Sequence, residues 1–146
     1  MGQAGQAVAV IGVSVWLIVL SAFDIRLRRL PNLLTVPGAA AILTYAVLAG
    51  HGRAAALGAA ALFTIYATVH LIAPSAMGAG DVKLAVGLGA LTGSFGADVW
   101  VVAALGAALL TAGLALCMRS TGAAPSVPHG PSMCLSSGAV IALVLL

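Results

Sequence analysis

Ala4-Gly-Gln-Ala-Val-Ala-Val-Ile-Gly-Val-Ser-Val-Trp-Leu-Ile-Val-Leu-Ser-Ala-Phe23, closed by Asp24-Ile-Arg-Leu-Arg-Arg29, decides the fold of this chain. Twenty residues without a charge are long enough to cross a hydrocarbon core, which takes about 20 apolar residues as a helix. The run is continuous, without the period-two alternation of a membrane barrel strand, so the backbone is satisfied internally as a helix. No basic cluster precedes it and three arginines follow it, the reverse of a secretory signal, so it reads as a retained first span.

The rest of the chain repeats the pattern. Hydrophobic residues make up 62% of the 146 and charged residues 6%, with a mean hydropathy of +1.19. A soluble domain carries roughly 25% charged residues. The expected class is an all-α integral membrane protein forming one domain over residues 1–146, its partner the lipid bilayer. The net charge of +3 sits in membrane-flanking loops rather than on a soluble face, so no nucleic-acid role is expected. Charges, prolines and glycines divide the chain into six spans. They are expected at about Ala4–Phe23, Leu33–Ala49, Arg53–Ala73, Asp81–Leu91, Val99–Cys117 and Ser132–Leu146. Pro31 is suited to starting the second helix, Ser75–Gly80 reads as a glycine-rich loop, and Asp98 as N-cap of the fifth helix. Met118–Pro131 reads as a polar loop.

Orientation follows from lysine and arginine. Six alternating spans put Arg26, Arg28, Arg29, Lys83 and Arg119 at one end and only Arg53 at the other. The N-terminus is therefore expected outside and the charged loops in the cytoplasm. The same alternation sorts the acids, of which there are three. Asp24 ends one span and Asp81 begins another at the cytoplasmic end, while Asp98 falls at the opposite end.

An acid beside so much hydrocarbon is costly and marks a functional position. Two carboxylates brought close in a poorly solvated site share a proton and titrate as a pair. One then acts as base on a water while the protonated partner polarises a carbonyl, which is amide hydrolysis without metal or covalent intermediate. Gly78 and Gly80, flanking Ala79 just before Asp81, permit close approach by an extended peptide. The plainer roles are interfacial ion pairing for Asp24 with its arginines, an N-cap for Asp81, and an orientation-setting charge for Lys83. His51 and His70 read as a turn and an interfacial residue, and His129 as loop structure. Gly87, Gly89, Gly93, Gly106 and Gly113 read as helix-packing positions. Cys117 and Cys134 read as buried free thiols, and neither the cysteines nor the histidines offer metal-ligand spacing.

The surroundings of both acids resemble a known family. Asp24-Ile-Arg-Leu-Arg-Arg-Leu-Pro31-Asn32-Leu-Leu-Thr35 is similar to the first aspartate motif of the type IV prepilin peptidases. Met77-Gly78-Ala79-Gly80-Asp81-Val82-Lys83-Leu84 resembles their second motif, Gly-x-Gly-Asp, and Pro128-His129-Gly130-Pro131 the Pro-x-Gly-Pro before the last helix. The resemblance implies a six-helix aspartyl endopeptidase of the bacterial inner membrane that removes leader peptides from prepilin-like proteins at the cytoplasmic face. Asp24 and Asp81 carry over as the catalytic pair. Pro31, Asn32, Gly78 and Gly80 carry over as motif residues around the substrate's approach, and Lys83 as a motif neighbour with no role assigned. No cofactor or metal is implied. The N-terminal CxxC region of larger members is absent from this sequence, so methyltransferase activity is not expected and the chain resembles the short form associated with Flp or Tad-type pili. His129 stands where many members have an aromatic. The competing class is a non-enzymatic transporter or assembly component using the acids for ion pairing or proton relay. An internal repeat with acids near the midplane would favour it. This chain has neither.

Overall fold

Proline and glycine set the boundaries of six helices: α1 (Gln3–Leu27), α2 (Asn32–Leu48), α3 (Gly52–Ile72), α4 (Ala79–Phe95), α5 (Ala97–Ser120) and α6 (His129–Leu145). The structure, a computed structural model, describes residues 3–122 and 126–146. Among them there is no strand. Pro125, in the expected α5–α6 loop, lies outside the described residues. α1, α3 and α5 are each long and apolar enough to cross a bilayer, and α2 and α6 are shorter apolar helices. The chain is an all-α, multi-pass membrane protein.

Pro31 is the N-cap of α2 in extended conformation (φ −68°, ψ 137°), and Pro128 caps α6 in the same way (φ −67°, ψ 126°). Neither ring costs a helical hydrogen bond there, because the first N–H groups of a helix lack intrahelical partners. Several boundaries differ from expectation. α1 runs past Phe23 to Leu27, so Asp24 lies inside the helix rather than after it. α4 begins at Ala79, with Gly78 as N-cap, which puts Gly80 and Asp81 in its first turn and leaves Asp81 without the N-cap role. Asp98 is likewise not a cap: Gly96 is, at φ 130°, a conformation that only glycine adopts freely. α6 starts at His129, one turn earlier than the expected Ser132, so His129 belongs to a helix.

α4 is the central helix, with ten buried residues. It packs on α2, α3, α5 and α6. Its closest neighbour is α3, and backbone meets backbone there. A Cβ at Gly89 would lie 2.5 Å from the Gly58 carbonyl oxygen, and one at Gly93 would lie 2.9 Å from that of Ala54. Lipid offers no hydrophobic drive for helices to associate, so such small-residue contact, giving dense van der Waals packing, holds the pair. Side-chain hydrogen bonds add to it: Trp100 Nε1 donates to the Gly58 carbonyl at 3.0 Å, and Ser136 Oγ on α6 donates to that of Ala103 on α5 at 2.8 Å. Gly106 makes room for Ser136, while Gly113 faces open space and packs against nothing, contrary to expectation. Cys134 is buried as expected, but Cys117 is exposed. The outer surface is apolar, with Leu33, Leu48, Leu71, Ile72, Leu109 and Leu116 facing outward, as a lipid-facing surface requires.

Candidate active site

Val13, Trp16, Leu17, Leu20 and Asp24 recur at helical spacing and form the inward stripe of α1. Asp24 is the last of the stripe and is 8% exposed. Helical periodicity thus turns this acid into the bundle, while Phe23, Ile25 and Arg26 point outward. Its Oδ2 accepts a hydrogen bond from the Gly130 N–H at 3.1 Å, one of the free N–H groups of the first turn of α6. A Cβ at residue 130 would come within 2.6 Å of that oxygen, so glycine is what lets the α6 terminus close onto the acid. Among the described residues Asp24 makes no ion pair with the arginines that follow it. Arg28 instead donates through Nη1 to the carbonyl and hydroxyl oxygens of Ser126, at 2.9 and 3.0 Å. Its backbone takes the left-handed conformation (φ 51°) that terminates α1.

Asp81 is partly buried in the first turn of α4. It opens, together with Asp24, into one cleft of about 670 Å³. The same cleft is lined by Pro31, Asn32, Gly78, Gly80 and Lys83, so the residues flanking the two aspartates meet there, while the Pro128–Pro131 segment does not line it. Each has a geometric part. A Cβ at Gly78 would lie 3.3 Å from Asp81 Oδ2, and one at Gly80 would lie 3.1 Å from Leu30 Cβ, so the α1–α2 loop rests directly on the Gly80 backbone. Lys83 Nζ donates to Asn32 Oδ1 at 2.8 Å and ties α4 to the start of α2. That is a specific partner beyond the orientation-setting charge expected of Lys83. Asp98 lies at the other end of the bundle, at the start of α5.

The contacts of several residues in this region carry no signal in the sequence. His129 bridges three helices: Nε2 is 2.8 Å from the Tyr66 hydroxyl on α3, and Nδ1 is 2.6 Å from the Thr111 hydroxyl on α5. Both ring nitrogens are engaged, which anchors the α6 terminus whose next N–H reaches Asp24. Tyr66 is one of two tyrosines in the chain, and a buried tyrosine usually finds a hydrogen-bond partner for its hydroxyl. Which partner it meets depends on helix packing alone. Leu30 and Gly58 are equally silent in sequence. His70, expected at the interface, has Nδ1 2.6 Å from the Met77 carbonyl oxygen and braces the loop before α4.

A water held by the two acids would face one group able to take its proton and another able to donate to a carbonyl. Among the described residues no group of three His, Cys, Asp or Glu side chains is placed to hold a metal ion. A sequence profile of the type IV leader peptidase family matches residues 11–146. No curated protein and no solved structure matches the chain. The match takes in both aspartate segments, α2 to α6 and α1 from residue 11 onward, and the chain therefore belongs to the type IV leader peptidase family, a family of proteases.

Proposed function

We propose that this chain is an aspartyl endopeptidase of the bacterial inner membrane that removes leader peptides from prepilin-like proteins, with Asp24 and Asp81 as the catalytic pair. The observation that carries this reading is the shared cleft: two of the chain's three acids, 57 residues apart in sequence, open into one cavity with Pro31, Asn32, Gly78, Gly80 and Lys83. One carboxylate takes a proton from water as the water attacks the scissile carbonyl. The other, protonated, donates to the carbonyl oxygen and then to the leaving amine. Gly78 and Gly80 let an extended peptide backbone lie against the rim. The charge bias of the loops sets this rim toward the cytoplasm, where a leader sequence that precedes a hydrophobic helix emerges from the bilayer. The whole of residues 1–146 acts as one domain.

The test is co-expression with a prepilin-like substrate. Asp24→Asn and Asp81→Asn are each expected to abolish processing while the protein stays at normal abundance in the membrane. Asp98→Asn is expected to process like the parent. Normal processing by either single variant of the pair would show the dyad assignment to be wrong.

A further inference from the structure

We propose that Trp16 is the pin that sets the Asp24 helix against the Asp81 helix, and so a positioning residue for the dyad. The proposal rests on the catalytic reading of the cleft.

The two acids ride on different groups of helices. α1 packs chiefly along α6, touches α2 lightly, and its backbone does not closely approach that of α4. α4 is instead seated against α3 and α2. Nothing in the backbone packing therefore sets the separation of Asp24 from Asp81 directly. Among the described residues, the hydrogen bonds of α1 side chains go back into α1 (Ser14, Ser21) or to α6 (Asp24), with one exception. Trp16 Nε1 donates to the Leu34 carbonyl oxygen on α2 at 2.8 Å.

The indole also has a built socket. A Cβ at Gly38 on α2 would collide with Trp16 Nε1 and Cε2, and one at Gly87 on α4 would lie 2.9 Å from its Cη2. One ring from α1 thus fills a notch cut jointly into α2 and α4. Trp16 stands mid-helix, where tryptophan is unusual in a spanning segment, since its ring favours the interfaces. An N–H at that depth has no water to bond and needs a partner in the protein. Trp16 lies eight residues before Asp24 on the same stripe, about 12 Å along the helix, and Gly87 lies about 9 Å beyond Asp81. The pin is thus about two turns beneath both acids, close enough to set their separation.

The experiment uses the full-length protein in proteoliposomes and reads geometry and catalysis separately. Nitroxide labels at Ile25→Cys and Leu71→Cys, both exposed positions, report the separation of α1 from α3, the helix most tightly packed on α4. Cys117→Ser and Cys134→Ala remove the native thiols. Trp16→Ala and Gly38→Ala are expected to lengthen or broaden that distance. They are also expected to lower kcat for a prepilin-like substrate on the order of 10²-fold, with KM within about twofold of the parent value. Trp16→Phe keeps the ring and loses the N–H; it is expected to lower kcat about fivefold, the equivalent of one hydrogen bond, and it covers the case in which Trp16→Ala fails to insert. An unchanged distance in Trp16→Phe and Gly38→Ala overturns the pin whatever the activity, and a lengthened distance with unchanged kcat overturns the positioning role. If the parent chain cleaves no prepilin-like substrate, the function proposed above fails, and the distance measurement still decides the pin.

Discussion

At Gly130 a single missing methyl group connects the last helix to the candidate chemistry. The Gly130 N–H bonds Asp24 Oδ2, and a Cβ there would sit 2.6 Å from the same atom. Gly130→Ala is expected to displace the Asp24 carboxylate and lower cleavage on the order of 10²-fold, the usual effect of moving a reacting group by about an ångström. Membrane abundance should stay at the parent level. A cleavage assay paired with immunoblotting checks both, and parent-level cleavage would remove Gly130 from the site. Gly130 was legible in the sequence as part of a Pro-x-Gly-Pro string, and its contact with Asp24 was not. The string tells of a helix start, whereas the contact depends on α1 and α6 lying side by side. Lys83 shows the same division. Its charge reads from the sequence as an orientation signal, and its bond to Asn32 arises only because α4 and α2 begin at the same end of the bundle.

On the scale of elements, the α3–α4 pair carries the packing of the bundle, and its glycines are not equivalent. Gly58 and Gly89 face each other's backbone, which cannot move aside as a flexible side chain can. Gly89→Val is expected to cost about 1–3 kcal/mol through overpacking, visible as faster thermal inactivation in detergent. Gly113→Ala, with nothing within reach of the added methyl, is expected to be neutral or to stabilise by roughly 0.5–1 kcal/mol through helix propensity. A reversal of that order would contradict the packing described. Hydropathy together with charges, prolines and glycines located all six helices to within about a turn. The largest differences, four residues each, are at the end of α1, which continues through Asp24, and at the end of α4, which continues past Leu91 to Phe95. Asp24 and His129 are both inside helices because each finds a partner on a neighbouring helix, which no single segment reveals. Gly113 was misjudged for the same reason, since a helical glycine looks alike in sequence whether it faces a neighbour or open space.

Across the whole molecule, the bundle gathers the ends of α1, α3 and α5 with the starts of α2, α4 and α6, and the cleft lies at that end. The bias of lysines and arginines underlies the proposal that this end faces the cytoplasm. Single cysteines introduced at Ser75 and at His51, both exposed positions, check it. Ser75→Cys is expected to react with a membrane-impermeant maleimide only after the cytoplasmic side is opened, and His51→Cys in intact cells lacking the outer barrier. The opposite labelling pattern would reverse the topology and place the cleft outside. The amino-acid sequence by itself determined that this is a helical membrane protein, where its helices lie, and which two acids share an end. Hydropathy, charge bias and turn residues are read along the chain and need no partner. Only the tertiary structure decided that Asp24 turns inward onto Gly130, that His129 locks α6 between Tyr66 and Thr111, and that Trp16 seats in a notch shared by α2 and α4. Those contacts join residues that are distant in sequence. Side-chain shape and helix packing bring them together, and no local property of the chain records it.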